Sequence, residues 1–195
     1  MIYVGIDPGA RGGVVALLDD KSVVVCEPMP VIDIGVKKRK GKVGKKHIVD
    51  GSALARILSG IASRGGVFVV LERAQAMPLD GAVNAFEYGR GFGVIEGVLS
   101  TLQIPYAEER PQAWQKIMLK GIGGADTKAQ ARMLVQREAP HIPVIPLRCR
   151  VPDAGLVDAA VIALYAIRTR SVTNGSTPIS APLAPRRLAP PPVRR

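Results

Sequence analysis

The fold is most constrained by a segment near the start of the chain, residues 2–13, which read IYVGIDPGARGG. Its first five residues are a short apolar, partly β-branched run of the kind that forms a buried strand, and the run ends at Asp7. The glycines that follow lead into a second strand-like run, residues 12–18, rather than into a helix. The segment therefore lacks the strand-to-helix context of a P-loop or a dinucleotide-binding turn. We expect these glycines to let a phosphate backbone approach Asp7 closely.

The rest of the chain supplies three more strand-like runs and several helical patterns. The strand-like runs are residues 22–26, 67–71 and 104–107. The helical patterns begin after Asp50, at about Ala82, at Pro111, after Asp126 or Thr127, and at about Gly155. This order predicts an α/β architecture, a mixed five-stranded sheet with helices on both faces.

Four carboxylates lie at the borders of apolar runs or inside them. Asp7 and Glu72 directly follow two strand-like runs, Asp158 lies inside the apolar run at residues 156–164, and Asp153 precedes that run. A carboxylate in such a place is costly unless a counter-charge compensates it, and one divalent cation compensates several. If the strands ending in Asp7 and Glu72 are neighbours, both side chains leave the same sheet edge. We therefore take the four as candidate ligands of Mg²⁺ or Mn²⁺.

Each carboxylate also has a purely structural interpretation. Asp7 precedes Pro-Gly and suits a turn, Glu72 can pair with Arg73 or a distant base, and Asp153 can cap the helix that follows it. Asp158 is the hardest to explain in this way because its helical neighbours are almost all apolar. The joint placement of the four acids favours a metal site over four separate structural roles.

The net charge of +11 comes from two segments. Residues 37–46 carry seven positive charges and no acid, residues 171–195 carry four arginines and no acid, and the rest of the chain is neutral. This pattern points to a polyanionic partner, although such runs also occur as solvated surface or localisation tags. We expect the loop at residues 36–47 to contact phosphates. Its basic residues are Lys37, Lys38, Arg39, Lys40, Lys42, Lys45 and Lys46.

The composition also sets the domain organisation. Residues 1–170 are enough for one domain, and the Pro-rich basic tail at residues 171–195 is predicted to be disordered. Only 4% of the residues are aromatic, which argues against a base-stacking platform. No membrane span or signal peptide is expected, and two cysteines without a pairing pattern favour a reducing cytosol.

Three glycines recur at four-residue spacing inside the predicted helix at residues 82–102. Gly89, Gly93 and Gly97 share one helix face, although each glycine lowers helix stability by about 1 kcal/mol relative to alanine. Such a face favours close backbone packing. The sequence leaves open whether the packing partner is the sheet or a second subunit.

Five motifs, in this order and spacing, resemble the RuvC family of Holliday junction resolvases, and most of all its phage-type branch. They are GIDPG at residues 5–9 with GG at 12–13, LER at 71–73 with AMP at 76–78, FEYGRGFG at 86–93, PQAWQK at 111–116 and VDAAVIA at 157–163. The match covers roughly residues 1–168. It implies an RNase H-like fold, a cytoplasmic homodimer in a bacterial or phage-infected cell, and nicking of branched DNA with two Mg²⁺ ions per active site, for which Mn²⁺ is expected to substitute.

The resemblance also implies roles for individual residues. The acids that match the family's metal ligands are Asp7, Glu72 and Asp158, and Asp153 takes the fourth position, five residues before Asp158 rather than the usual three or four. Phosphate contacts map to Lys116 and Lys128, with Lys120 as an addition. Arg11, Arg73 and Gln75 are further candidate DNA contacts. The loop after Glu72 has no aromatic residue up to Pro78, unlike bacterial members, so we expect a weaker sequence preference at the cut.

Three other functions stay open at this point. An RNase H-like nuclease acting on structured RNA would use the same carboxylates. An ATP-dependent kinase of the actin and sugar-kinase type also begins with a strand, an acid and glycines, but generally needs two such domains. A junction-binding protein without catalysis is favoured only by the unusual spacing of Asp153.

Overall fold

The computed structural model describes residues 1–37, 43–73, 81–147 and 149–170. The strands are β1 (Ile2–Asp7), β2 (Gly13–Leu18), β3 (Val23–Pro28), β4 (Val31–Lys37), β5 (Val43–Val49), β6 (Val67–Glu72) and β7 (Tyr106–Glu109). The helices are α1 (Gly51–Ala62), α2 (Ala82–Thr101), α3 (Pro111–Met118), α4 (Thr127–Glu138) and α5 (Ala154–Arg170). The predicted tail at residues 171–195 lies outside the described residues and stays a prediction.

The central sheet has five strands in the order β3-β2-β1-β6-β7. β1, β2 and β3 form an antiparallel meander, whereas β6 and β7 run parallel to β1. The predicted mixed five-stranded sheet is therefore confirmed. β1 lies in the middle of the sheet, so its end, where Asp7 stands, has a strand on each side.

Helices cover both faces of the sheet, as predicted. Alternate residues of β1 point to opposite faces, so Tyr3 belongs to one apolar cluster and Val4 to the other. The first cluster contains the buried residues of α3, α4 and α5, and the second contains those of α1 and α2. α5 is the central helix of the first layer, with twelve of its seventeen residues buried.

The two ends of the predicted basic loop belong to paired strands, and residues 38–42 between them lie outside the described residues. We call β4 and β5 together the hairpin. β4 and β5 pair antiparallel as a separate two-stranded sheet, with Asp33 directly opposite His47. Asp33 bonds to two residues of β5, through Lys45 Nζ at 3.2 Å and His47 Nδ1 at 2.7 Å. β-Branched residues at both ends of the basic run stabilise the two strands, and cross-strand charge pairs add to this.

Helix starts follow the local signals in the sequence. The Asp50 carboxylate accepts the backbone N–H groups of Ser52 and Ala53, and the Asp126 carboxylate accepts that of Ala129, so both residues cap their helices as predicted. α5 was predicted to span about Gly155 to Ile167, and it extends from Ala154 to Arg170. Within the described ranges, none of the helices has the length and apolarity that crossing a membrane requires.

The glycine face of α2 does not pack on the sheet. A Cβ added at Gly89, Gly93 or Gly97 would meet no atom within 4 Å. Val83 and Phe86 lie on the same side of the helix and are 72% and 70% exposed. The sheet is thereby excluded as the partner of this face within the described part of the chain.

Candidate active site

Asp7 and Glu72 leave the sheet side by side. β1 and β6 are parallel neighbours with Ile6 opposite Leu71, so the next residue of each strand stands at the same edge. The adjacency on which the metal-site prediction depends is therefore present in the fold. Both side chains are partly buried at this edge.

α5 brings Asp158 to the same edge through two very close backbone contacts. A Cβ at Gly155 would collide with the carbonyl of Arg11, in the turn that follows Asp7. One turn later, a Cβ at Gly5 would collide with the carbonyl of Ala159. Asp158 lies between these contacts along the chain, so both fix it relative to β1.

The three carboxylates act on one another electrostatically. Burial raises the pKa of Asp7 from 3.8 to about 7, and the charges of Glu72 and Asp158 add to the shift. Burial likewise raises the pKa of Asp158 to about 6, against the opposing charge of Lys128. Burial raises the pKa of Glu72 as well, and Asp158 contributes to this. Three partly buried acids with raised pKa values make this sheet edge a candidate cation site.

The donor set fits Mg²⁺ by its chemistry, because all three side chains supply carboxylate oxygens. In the described part of the chain, no group of three His, Cys, Asp or Glu side chains is close enough to hold one ion. The carboxylates thus share one electrostatic environment without converging on a common point. A shared ion requires their side chains to turn toward it.

Asp153 stands directly before the first residue of α5. Its Oδ1 accepts the backbone N–H of Leu156 at 3.0 Å, so it caps α5. Burial raises the pKa of the Cys26 thiol to about 11, and the charges of Glu27 and Asp153 add to that shift. The assignment of Asp153 as the fourth metal ligand stays a prediction.

Two aromatic residues at the site were not predicted to act there. The indole Nε1–H of Trp114 on α3 donates to Oε2 of Glu72 at 2.8 Å. Burial raises the pKa of Tyr88 on α2 to about 12, and the charges of Asp7 and Glu72 add to the shift. Trp114 is the only tryptophan in the chain and lies in the PQAWQK motif, so the sequence offered a signal for it. Tyr88 lies in the FEYGRGFG motif, so the sequence offered the same kind of signal for it.

The predicted DNA-contacting residues fall into two groups. Arg11, Lys116, Lys120 and Lys128 are exposed, and Lys128 is close enough to lower the pKa of both Asp7 and Asp158. The others that the structure describes are already paired with acids. Lys45 bonds to Asp33, Lys46 to Glu87 at 2.9 Å, and Arg73 to Glu108 at 3.7 Å.

The hairpin and α2 enclose a cavity of about 230 Å³ beside the turn that follows Asp7. Its polar lining includes Lys46, His47 and Arg90, and its apolar lining includes Pro8 and Val94. Arg90 is exposed and was not among the predicted DNA contacts. The cavity lies between the hairpin, α2 and the turn that follows Asp7.

The remaining predicted contacts cannot be placed. Lys38, Arg39, Lys40, Lys42 and Gln75 lie outside the described residues. Lys37 ends β4, and only its backbone is described. Their roles stay predictions from the sequence.

Comparison with known proteins gives a match at the level of structure. No protein-family model matches the sequence, and neither does any curated protein. Among solved structures, Thermus thermophilus RuvC superposes with a TM-score of 0.50 at 16% identity, over 89% of this chain and 98% of that one. The chain therefore has the RuvC-like RNase H fold that its motifs predicted.

Two further solved structures are also similar. Thermus thermophilus RuvC in complex with a Holliday junction substrate gives a TM-score of 0.49 at 15% identity, over 89% of this chain and 97% of that one. The yeast mitochondrial Holliday junction resolvase gives a TM-score of 0.42 at 13% identity, over 87% of this chain and 78% of that one.

Proposed function

We propose that the protein is a Mg²⁺-dependent endonuclease that resolves four-way DNA junctions, and other branched DNA, by paired symmetric nicks in recombination and repair. The observation that carries the proposal is a group of three partly buried carboxylates with raised pKa values on a RuvC-like fold. They are Asp7, Glu72 and Asp158. Structural roles such as turns and helix caps would not require three acids to lie at one sheet edge, whereas a metal site would.

Asp7, Glu72 and Asp158 would hold the metal, with Asp153 as the predicted fourth ligand. Two Mg²⁺ ions, or Mn²⁺ in their place, would lower the pKa of the attacking water and stabilise the leaving 3′ oxygen. The protein's own part is to keep the carboxylates close, partly shielded from water and ionised at the moment of binding. The glycines after Asp7 leave room for a phosphate to approach that edge, and the expected products are a 5′ phosphate and a 3′ hydroxyl.

The positive charge around this edge supports a DNA substrate. Lys128 is near the carboxylates, Arg11 lies in the turn after Asp7, and the hairpin carries Lys45 and Lys46. DNA phosphates would compete with Asp33 and Glu87 for the two hairpin lysines. Binding that depends on phosphate contacts should weaken steeply as the salt concentration rises.

A homodimer would place two such sites on one four-way junction, whose symmetry is also approximately twofold. The open glycine face of α2, with Val83 and Phe86 exposed beside it, supports α2 as the contact between subunits. An apolar face of this kind is costly in water unless another surface covers it. It remains the candidate partner surface after the sheet has been excluded.

Finer assignments follow from the sequence motifs alone. The motifs favour the phage-type branch of the family, and the lack of an aromatic residue at positions 73–78 favours a weak sequence preference at the cut. A cytoplasmic location in a bacterial or phage-infected cell belongs to the same proposal.

The test is cleavage of a labelled synthetic four-way DNA junction in Mg²⁺ and in EDTA. Asp7→Asn is the inactive variant, and Asp19→Asn, which changes an exposed acid on the β2–β3 turn, is the matched control. Paired Mg²⁺-dependent nicks that are lost only in Asp7→Asn would support the proposal. Cleavage of structured RNA in preference to the junction would contradict it.

One observation favours a non-catalytic junction-binding protein, namely that no three described acidic side chains converge on one point. The same experiment separates the two functions. Tight junction binding without cutting in either Mg²⁺ or Mn²⁺ would favour the binding protein and reject the nuclease.

A further inference from the structure

Trp114 has a single polar atom, and that atom bonds to Glu72. The side chain is 2% exposed and belongs to the apolar cluster under α5. A buried N–H group without an acceptor costs free energy, so the indole needs a partner. Its partner is Oε2 of Glu72 at 2.8 Å, forty-two residues earlier in the chain.

Within the described ranges, Glu72 is oriented by this neutral donor and by no cation. Its neighbour Arg73 pairs with Glu108 instead, on the side toward β7. Among the described residues, no Lys, Arg or His forms an ion pair with Glu72, and Oε1 has no hydrogen-bond partner. A neutral donor fixes the carboxylate without neutralising it, whereas a lysine or arginine would compete with a metal ion for the same charge.

We propose that Trp114 is a positioning residue, whose indole N–H holds Oε2 of Glu72 so that Oε1 is free for the metal. The inference rests on the proposed function of the site. Trp114 lies in α3, which begins at Pro111 and buries Trp114 and Met118 against the core. Packing against the core thus fixes the indole ring of Trp114, and the hydrogen bond from the ring fixes the Glu72 carboxylate. Loss of such an outer hydrogen bond typically costs roughly 10- to 100-fold in metal affinity.

The first experiment measures Mn²⁺ binding by electron paramagnetic resonance for the full chain and two variants. Trp114→Phe keeps a buried ring but removes the donor, and we expect the Kd for Mn²⁺ to rise roughly tenfold or more. Met118→Leu changes the other buried residue of α3, is also 2% exposed, and should leave the Kd unchanged. Thermal unfolding of each variant reports the packing cost separately from the metal affinity.

The second experiment needs no substitution at Trp114. Because the chain has one tryptophan, its NMR spectrum contains one indole N–H signal, and that signal reports on the bond to Glu72. We expect the signal to shift when Mg²⁺ is added and when Glu72 is changed by Glu72→Gln. The unsubstituted protein therefore tests the inference even if Trp114→Phe fails to fold.

The outcomes separate this inference from the function on which it rests. Suppose that the native protein binds Mn²⁺, but Trp114→Phe binds it equally well or the indole N–H signal does not shift with Mg²⁺. The positioning role is then wrong, and the metal site is unaffected. If the native protein binds neither ion, both the metal site and the positioning role are wrong.

Discussion

Helices α5 and α2 cover opposite faces of the same sheet, and they use glycine in opposite ways. On the α5 side, Gly5 and Gly155 let two backbones approach so closely that no Cβ would fit. On the α2 side, Gly93 and Gly97 face open space, and only Ile95 and Leu99 are buried along twenty residues. The α5 contact is complete within one chain and fixes Asp158, whereas the described part of the chain leaves the glycine face of α2 uncovered.

The largest effect is expected where the α5 contact is broken. Gly5→Ala would place a methyl group against the backbone of Ala159 and Ala163, neither of which can move without shifting the helix. We expect a loss of about 3 kcal/mol in the free energy of unfolding, measured by urea denaturation. Because Asp158 moves with α5, Mg²⁺ affinity should fall in the protein that remains folded. A stability within about 0.5 kcal/mol of the native value would show that the contact is looser than the structure has it.

The α5 side could be predicted from the sequence because its signals are local. Asp7 and Glu72 each follow an apolar strand, Asp158 interrupts an apolar helix, and parallel neighbouring strands bring their ends together. The bond between Trp114 and Glu72 could not be predicted, because it joins residues forty-two positions apart and depends on how α3 docks. The role of Asp153 as a helix cap was one of two interpretations that the sequence allowed.

The strands of the hairpin were not predicted because the high density of positive charge in the segment favoured a loop. Val31, Ile32 and Ile34 precede the basic run, and Ile48 and Val49 follow it, which is a strand pattern. We interpreted the charge density as a loop, since lysine is depleted in strands. The hairpin stands outside the main sheet, where its lysines stay in water and cross-strand pairing with Asp33 lowers their repulsion.

A second prediction concerns the protons that the carboxylate site holds without metal. The pKa of Asp7 is about 7 and that of Asp158 is about 6, both above the ordinary value, so each acid would have to lose a proton to bind Mg²⁺ as proposed. At limiting Mg²⁺, nicking should rise by more than tenfold per pH unit below about pH 6, where two protons must leave, by about tenfold per unit between about pH 6 and 7, and level off above about pH 8. A higher Mg²⁺ concentration should move the rise to lower pH.

The measurement is the initial rate of junction nicking across pH 5.5 to 8.5, with junction binding and thermal unfolding recorded in the same buffers. A rate that does not increase with pH between pH 5.5 and 7, while junction binding and folding are unchanged, would contradict the shifted pKa values.

A third prediction concerns stability without metal. Because the native protein keeps the Asp7 proton up to about pH 7 and the unfolded chain loses it near 3.8, stability should fall as the pH rises between these values. Asp7→Asn has no such charge, so it should be more stable than the native protein by roughly 3–4 kcal/mol above pH 7 and equal to it below pH 4. Millimolar Mg²⁺ should stabilise the native protein and not the variant.

Asp153→Asn is the control for this comparison and a test of the fourth ligand. Asparagine caps helices about as well as aspartate, so metal-free stability should change little. A lower Mg²⁺ affinity in this variant would assign Asp153 to the metal, whereas an unchanged affinity would leave it as the cap of α5 alone.

The smallest effect is expected on the α2 side, where a methyl group has room. Gly93→Ala meets no atom within 4 Å in the single chain and replaces a poor helix former, so the isolated subunit should gain up to about 1 kcal/mol. If two α2 faces pack together, the same methyl group would separate the backbones and weaken the dimer. At low protein concentration, where subunits are separate, Gly93→Ala should therefore raise the free energy of unfolding. At high concentration it should lower the fraction of dimer seen by sedimentation. A stabilisation that is independent of concentration would place the subunit contact elsewhere, and Phe86→Ser, which changes an exposed apolar residue of the same face, should then also leave the oligomeric state unchanged.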